Sequence, residues 1–229
     1  MASRTGSSLL TARIYAALKH DIITCQLRPG QQVVEQQLAE RYGASKTPIR
    51  EALNTLRQEG YVEVVPRRAY VITPVSVLDV QHIYHVRLLL EPSAAEFAAQ
   101  RVTGEQLAEL RRLAARRSSG SLSDRLVLNR AFHMAVAEAS GNPTLVGFIS
   151  KLLEQVERVF HLGLNLGSAS ESEPDHHAAL VDALMKGDHH LARDTMSHSI
   201  QESRRRVMEA LIGTESAGQS LVLLQGGQG

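Results

Sequence analysis

Five polar side chains recur at helical spacing between positions 46 and 57: Lys46, Thr47, Arg50, Asn54 and Arg57. At about 100° per residue they gather on one face, while Ile49, Ala52, Leu53 and Leu56 form an apolar stripe on another. The polar set is nearly free of acid and holds three cations. Lysine and arginine neutralise phosphates and donate to the O6 and N7 of guanine, and short polar side chains serve other base edges. Ser45 or Thr47 is placed to cap this helix, and Pro48 falls in its first turn, where a missing N–H is harmless. The layout suits a helix lying in a DNA major groove. An ordinary amphipathic helix with a solvated basic face has the same pattern, so these residues alone leave the two readings level.

A second set of side chains lies far along the chain. Asn129 and His133 are four residues apart and share one helix face. His177 and His198 sit on two later helical stretches, placed to turn inward. Imidazoles converging from three helices hold a divalent metal of the zinc or nickel type, and the plainer reading is hydrogen-bonded core histidines. Arg87 lies on a largely apolar stretch with Glu91 one turn on. The pair is either a helix ion pair worth a few tenths of a kcal/mol or, through Arg87, a planar donor fork for a ligand carboxylate.

The elements that must position these groups are mostly helical. Leu, Ala, Arg and Glu dominate, aromatics are 4% and Trp is missing. A chain of 229 residues has room for two domains with real cores. The net charge of +1 excludes a uniformly basic nucleic-acid binder. Residues 9–75 carry nine Lys/Arg against six Asp/Glu, and residues 76–229 carry fifteen against eighteen. A basic head and an acidic remainder suit two different jobs. One cysteine, Cys25, excludes an intramolecular disulfide and fits a reducing cytosol. No apolar run approaches about 18 residues and no signal-like N-terminus is seen, so the expectation is a cytoplasmic protein with no membrane contact.

In chain order, residues 1–8 read as a disordered tail. Leu10, Ile14, Leu18 and Ile22 mark a helix over about 9–24, and Pro29-Gly30 makes a turn. A short strand at 32–34 precedes a brief helix closed by Gly43. The helix around Arg50 ends near Gly60. Two β-rich runs, 61–65 and 70–73, flank Pro66-Arg67-Arg68-Ala69 and form a hairpin with a basic tip. After a linker at 74–76, Ser76-x-x-Asp79 starts a long helix, and Thr103 and Gln106 form a capping box. Further helices span about 122–140, 144–162, 175–186 and 188–212, with loops at 118–121 and 163–174 and a disordered tail at 213–229. The fold class is therefore mostly α: an N-terminal winged helix-turn-helix over 9–74, then an all-α helical bundle over 75–212.

The run LRPGQQVVEQQLAERYGASKTPIREALNTLRQEGYVEVVPRRAYV resembles the DNA-binding domain of the GntR family of bacterial transcription regulators. The shared pattern is a Pro-Gly turn, a Leu-Ala helix, Ser-x-x-Pro-x-Arg-Glu-Ala-Leu and Leu-x-x-x-Gly before the wing. By position the resemblance implies DNA contacts from Lys46, Thr47, Arg50 and the wing residues Arg67 and Arg68, with Gln36 a phosphate contact; Ser45 and Asn54 are added from the start and the polar face of the helix itself. The family usually has glycine at the wing tip, where this chain has Ala69; glycine allows positive φ and close approach. Three later runs, IYHVRLLLEPSAAEFAA, LNRAFHMAVAEASGNPTL and HHAALVDALMKGDHHLARDTM, resemble the FCD-type effector domain of the FadR branch.

That resemblance implies a metal site built from an Asp, the His four residues later and one His from each of the last two helices. Here Asn129 stands at the Asp position, His133 and His177 match, and His198 is one residue early. It also implies an effector site of Arg87, Asn129, His133, His177 and His198, a small carboxylate effector, and a homodimer on a palindromic double-stranded operator. The expected function is a ligand-responsive transcriptional regulator acting as a repressor, not an enzyme. The competing reading is a metal-dependent all-α hydrolase carrying an incidental winged helix. It lacks a general acid/base carboxylate beside Asn129 and His133 in the pattern.

Overall fold

The computed structural model describes residues 2–65, 69–116, 122–162 and 176–216. Two compact units divide between Ser76 and Val77. The first contains α1 (Ala2–Ile23), β1 (Gln32–Val33), α2 (Glu35–Tyr42), α3 (Lys46–Gln58), β2 (Val62–Val65) and β3 (Ala69–Ile72). The strands form an antiparallel sheet in the order β1-β3-β2, with Val33 and Val64 both opposite Tyr70. Its core joins Ile14, Leu18 and Ile22 of α1 to Ile49, Leu53 and Leu56 of α3, closed by Tyr61 and Ile72. Each fully buried aliphatic side chain of this kind contributes about 1.5–3 kcal/mol of transfer free energy. Gly43, at φ 61°, ends α2 in the left-handed conformation and donates to Glu40 O (3.4 Å), turning the chain into α3.

The first helix begins at Ala2, where the sequence pattern points to a disordered tail through residue 8. Once α1 is nucleated, each added Ser or Thr costs only a few tenths of a kcal/mol and Gly6 about 1. Ser45 is the N-cap of α3 and Pro48 lies in its first turn, but the Ser45 side chain makes no capping hydrogen bond. The hairpin is present, while its tip residues Arg67 and Arg68 lie outside the described residues.

The second unit contains α4 (Val77–Arg101), α5 (Gly104–Ala115), α6 (Leu122–Ala139), α7 (Pro143–Phe160), α8 (His176–Lys186) and α9 (His189–Ser216). The expected loop at 163–174 and most of the tail at 213–229 lie outside the described residues. The central element is α4, packed by α6, α7, α8 and α9. Ala94, Ala95 and Ala98 allow close approach of its neighbours, and Ala94 meets Ala137, Leu145, Ile149 and Leu153 in the core. Thr103 and Gln106 form the expected capping box at 3.0 and 3.2 Å. Asn142 caps α7 by accepting from Leu145 N at 3.1 Å, with Pro143 in the first turn.

The two faces of α4 are inverted relative to a simple amphipathic helix. Arg87 and Glu91 are 2% and 1% exposed, while Leu78 and Leu89 are 57% and 61% exposed. Such a helix has polar and apolar groups on both sides, so its pattern does not announce which face is inward.

Candidate nucleic-acid interface and effector site

In the first unit, α3 turns Ile49, Ala52, Leu53 and Leu56 into the core and leaves Lys46, Thr47, Arg50, Asn54 and Arg57 exposed. Ser45 is exposed at its start, and Gln36 is exposed on α2, donating to Glu40 at 2.7 Å. Helical periodicity alone therefore brings Lys46, Thr47, Arg50 and Asn54 to the solvent side of one helix, with Ser45 at its N-cap.

What the sequence reading missed is Glu35. Its carboxylate accepts from Arg50 Nε at 2.8 Å and Arg50 Nη2 at 2.7 Å, a two-pronged ion pair, and from the Tyr70 hydroxyl at 3.4 Å. The hydrogen bonds from Arg50 hold Glu35 below the usual carboxylate range against the opposing effect of burial. A lone acid at the start of α2 carries no local mark of this role, because its partner is 15 residues away.

In the second unit Glu91 is the hub. Its Oε1 accepts from Arg87 Nε at 2.5 Å, and its Oε2 lies 2.5 Å from His133 Nδ1. Burial pushes the carboxyl up, but Arg87 and then His133 outweigh it and hold it down at about 2. Glu91 is thus an anion, which can only accept, so His133 donates to it through Nδ1. The Arg87 guanidinium also lies 5.1 Å from the centre of the Tyr84 ring, whose hydroxyl is 2.8 Å from Ser203 Oγ on α9.

His177 stacks on Phe132 with ring centres 3.9 Å apart and meets His133 edge-on at 5.7 Å. Burial first, then the neighbouring His133 and His176, lowers its pKa from 6.5 to about 3, so it is neutral near pH 7. Asn129 is half-buried on α6, one turn before His133.

One expectation needs correction here. His198 does not join His133 and His177; it is exposed and lies edge-on to His176, with ring centres 5.0 Å apart. One residue is about 100° of helix, enough to move the imidazole onto another face. Arg87 is buried in the core with its Nε committed to Glu91 Oε1, so a ligand carboxylate would have to meet its terminal nitrogens. His82 and His85 are exposed on α4, on the side away from Arg87 and Glu91.

The donor set does not fit a resident divalent metal. Among the described residues no group of three His, Cys, Asp or Glu side chains is placed to hold one. Asn129 offers a neutral amide where an anionic ligand is needed, leaving two imidazoles, one of them stacked on Phe132.

A winged helix-turn-helix with an exposed cationic α3, followed by an all-α unit, defines a DNA-binding transcription regulator. Residues 10–72 match the family model described as bacterial regulatory proteins, gntR family, and residues 82–202 match that of the FCD domain. The chain belongs to the GntR family of bacterial transcription regulators, in the branch that carries an FCD domain. It is 26% identical over 203 residues to the HTH-type transcriptional repressor RspR of Escherichia coli K12, covering 86% of this chain and 88% of that one. It is 28% identical over 201 residues to the HTH-type transcriptional regulator McbR of the same organism, covering 85% and 90%. The solved structure of E. coli McbR/YncC superposes with a TM-score of 0.75 at 26% identity, covering 88% of this chain and 98% of that one. The chain is a regulator and not an enzyme, as its family and these relatives are. No helix among the described residues is long and apolar enough to cross a membrane.

Proposed function

We propose that this regulator is a cytoplasmic repressor that binds a palindromic operator as a homodimer and is controlled by a small organic acid held in its second unit. The observation that carries the first part is the split of α3 into a fully buried apolar face and an exposed face of Lys46, Thr47, Arg50 and Asn54. Ser45, Gln36 and the wing residues Arg67 and Arg68 complete the contact set by position in the family pattern. Two copies of α3 one DNA turn apart would read two half-sites. The similarity to RspR, a repressor by name, supports the sign of regulation.

For the effector, the support is a buried polar cluster inside an otherwise apolar bundle. His133, fixed through Nδ1 by Glu91, keeps Nε2 for a ligand, and Asn129 supplies an amide donor one turn away. With its proton on Nδ1, His133 accepts through Nε2, so a hydroxyl of the organic acid would donate there while its carboxylate accepts from the Asn129 amide and competes with Glu91 for Arg87. A zinc- or nickel-type ion would have only Asn129, His133 and His177 as protein ligands, so the effector is placed directly on protein donors. Coupling of effector to operator at 1–3 kcal/mol is the usual range for such regulators.

The test is binding of Arg50→Ala to a duplex enriched by the wild-type protein from a randomised library. A loss of about 1–3 kcal/mol is expected, and unchanged affinity refutes the role of α3. In parallel, a thermal-shift screen of organic acids, with and without zinc or nickel, should give a stabilising acid that needs no metal.

A further inference from the structure

We infer that Glu35 is a specificity-determining residue: it pins the Arg50 guanidinium so that only its far end, with both terminal nitrogens, is presented to DNA, making Arg50 a guanine reader. This rests on the proposed role of α3 in the major groove.

The Arg50 side chain is 58% exposed, yet it is held at two points, with Nε and Nη2 on the two oxygens of Glu35. An exposed arginine normally samples many rotamers, at about 2 kcal/mol of side-chain entropy. This one is fixed before DNA arrives. Glu35 is itself fixed: it is the first residue of α2, its side chain is 19% exposed, and the Tyr70 hydroxyl donates to it at 3.4 Å. Tyr70 is in turn locked in the middle strand of the sheet, opposite both Val33 and Val64. The acid therefore joins α2, α3 and β3 at one point behind the guanidinium.

The geometry selects which edge of the arginine is left. A guanidinium has one edge formed by Nε and a terminal nitrogen, and another formed by the two terminal nitrogens. Glu35 consumes the first. The second keeps two parallel N–H groups, matching the O6 and N7 acceptors of guanine in the major groove. A phosphate is also a two-oxygen acceptor, but Glu35 places a carboxylate beside Arg50 and weakens the local attraction for the DNA backbone. Pinning and repulsion act in the same direction. Together they raise the preference for a guanine over mere proximity to phosphate.

The experiment uses the full-length protein and three kinds of duplex: one enriched from a randomised library by the wild type, a series in which each of its G·C pairs is changed in turn to A·T, and a random duplex. Wild type, Glu35→Gln, Arg50→Ala and the double variant are compared, with melting by circular dichroism as the folding control. Glu35→Gln is expected to lose at least about fivefold of the preference for one G·C pair, the low end of what a bidentate base contact is worth. Its affinity for the random duplex is expected to hold or rise. In the Arg50→Ala background the same change should have no further effect on that preference. Tyr70→Phe should shift it in the same direction by a smaller factor. Equal weakening on all duplexes would make Glu35 a scaffold residue only, and tighter binding with the preference intact would make it only a phosphate repellent; either overturns the inference while leaving α3 as the reading helix. No effect of Arg50→Ala on the enriched duplex would overturn both.

Discussion

Acid should destabilise the second unit through His177 before it protonates its carboxylates. The imidazole is held neutral by burial against Phe132, with its pKa lowered from 6.5 to about 3. In the unfolded chain it takes up a proton as pH falls through 6.5, whereas in the folded chain it does not until about 3. Its contribution is therefore fully present above 6.5 and lost progressively below that value. Between pH 7.5 and 5.0 the linkage amounts to about 2 kcal/mol at 1.36 kcal/mol per pKa unit. Glu91, lowered from 4.5 to about 2, acts mainly beneath 4.5 and adds only about 0.2 kcal/mol over the same window. The assay is urea unfolding followed by the helix signal in circular dichroism at both pH values, for the wild type and for His177→Leu. Leucine keeps the apolar contact with Phe132 and removes the titration, and comparing each protein with itself cancels any change in packing. The wild type should lose about 2 kcal/mol more than the variant. Equal losses would refute the account of His177 as a neutral, desolvated imidazole.

Glu91→Ala leaves the Arg87 guanidinium in the core without its carboxylate, a loss expected to cost about 3–5 kcal/mol in thermal or urea unfolding. The double variant with Arg87→Met should recover part of that loss, because the uncompensated charge is then gone. If the proposed homodimer closes on the outer face of α4, Leu89→Glu shifts it from dimer to monomer in sedimentation, since a carboxylate is not buried unpaired in an apolar interface. A dimer of unchanged affinity would place the association on another face.

The parts of the fold legible in the sequence are those encoded at helical or turn spacing. Ile49, Leu53 and Leu56 repeat at three and four residues, so the buried face of α3 and its opposite cationic face follow from periodicity. Thr103 and Gln106 satisfy each other locally, and Gly43 ends α2 because its conformation is local too. The polar contacts that define the sites are of another kind. Glu35 and Arg50 are 15 residues apart, and Glu91 and His133 are 42 apart. Only packing of α2 on α3, or of α4 on α6, brings them together. His198 illustrates the sensitivity: one residue of register separates an imidazole facing His133 from one facing His176.

The same limit applies to α4, the central element of its unit, whose start is legible in the sequence but whose inward face is not. A helix chosen for stability alone would turn Leu78, Val86 and Leu89 inward and leave Arg87 and Glu91 in water, because a buried ion pair rarely gains more than well-packed apolar residues of the same volume. Here the reverse holds: the charges are inside and the leucines outside. The stability forgone on the inner face needs a function there, and a buried guanidinium–carboxylate–imidazole row suits recognition of an organic anion. The exposed leucines need covering as well, and a stripe running the length of one helix suits a like surface on a second copy. Placing both on one rigid element would let a change at the inner face bear on the outer one without any long pathway between them.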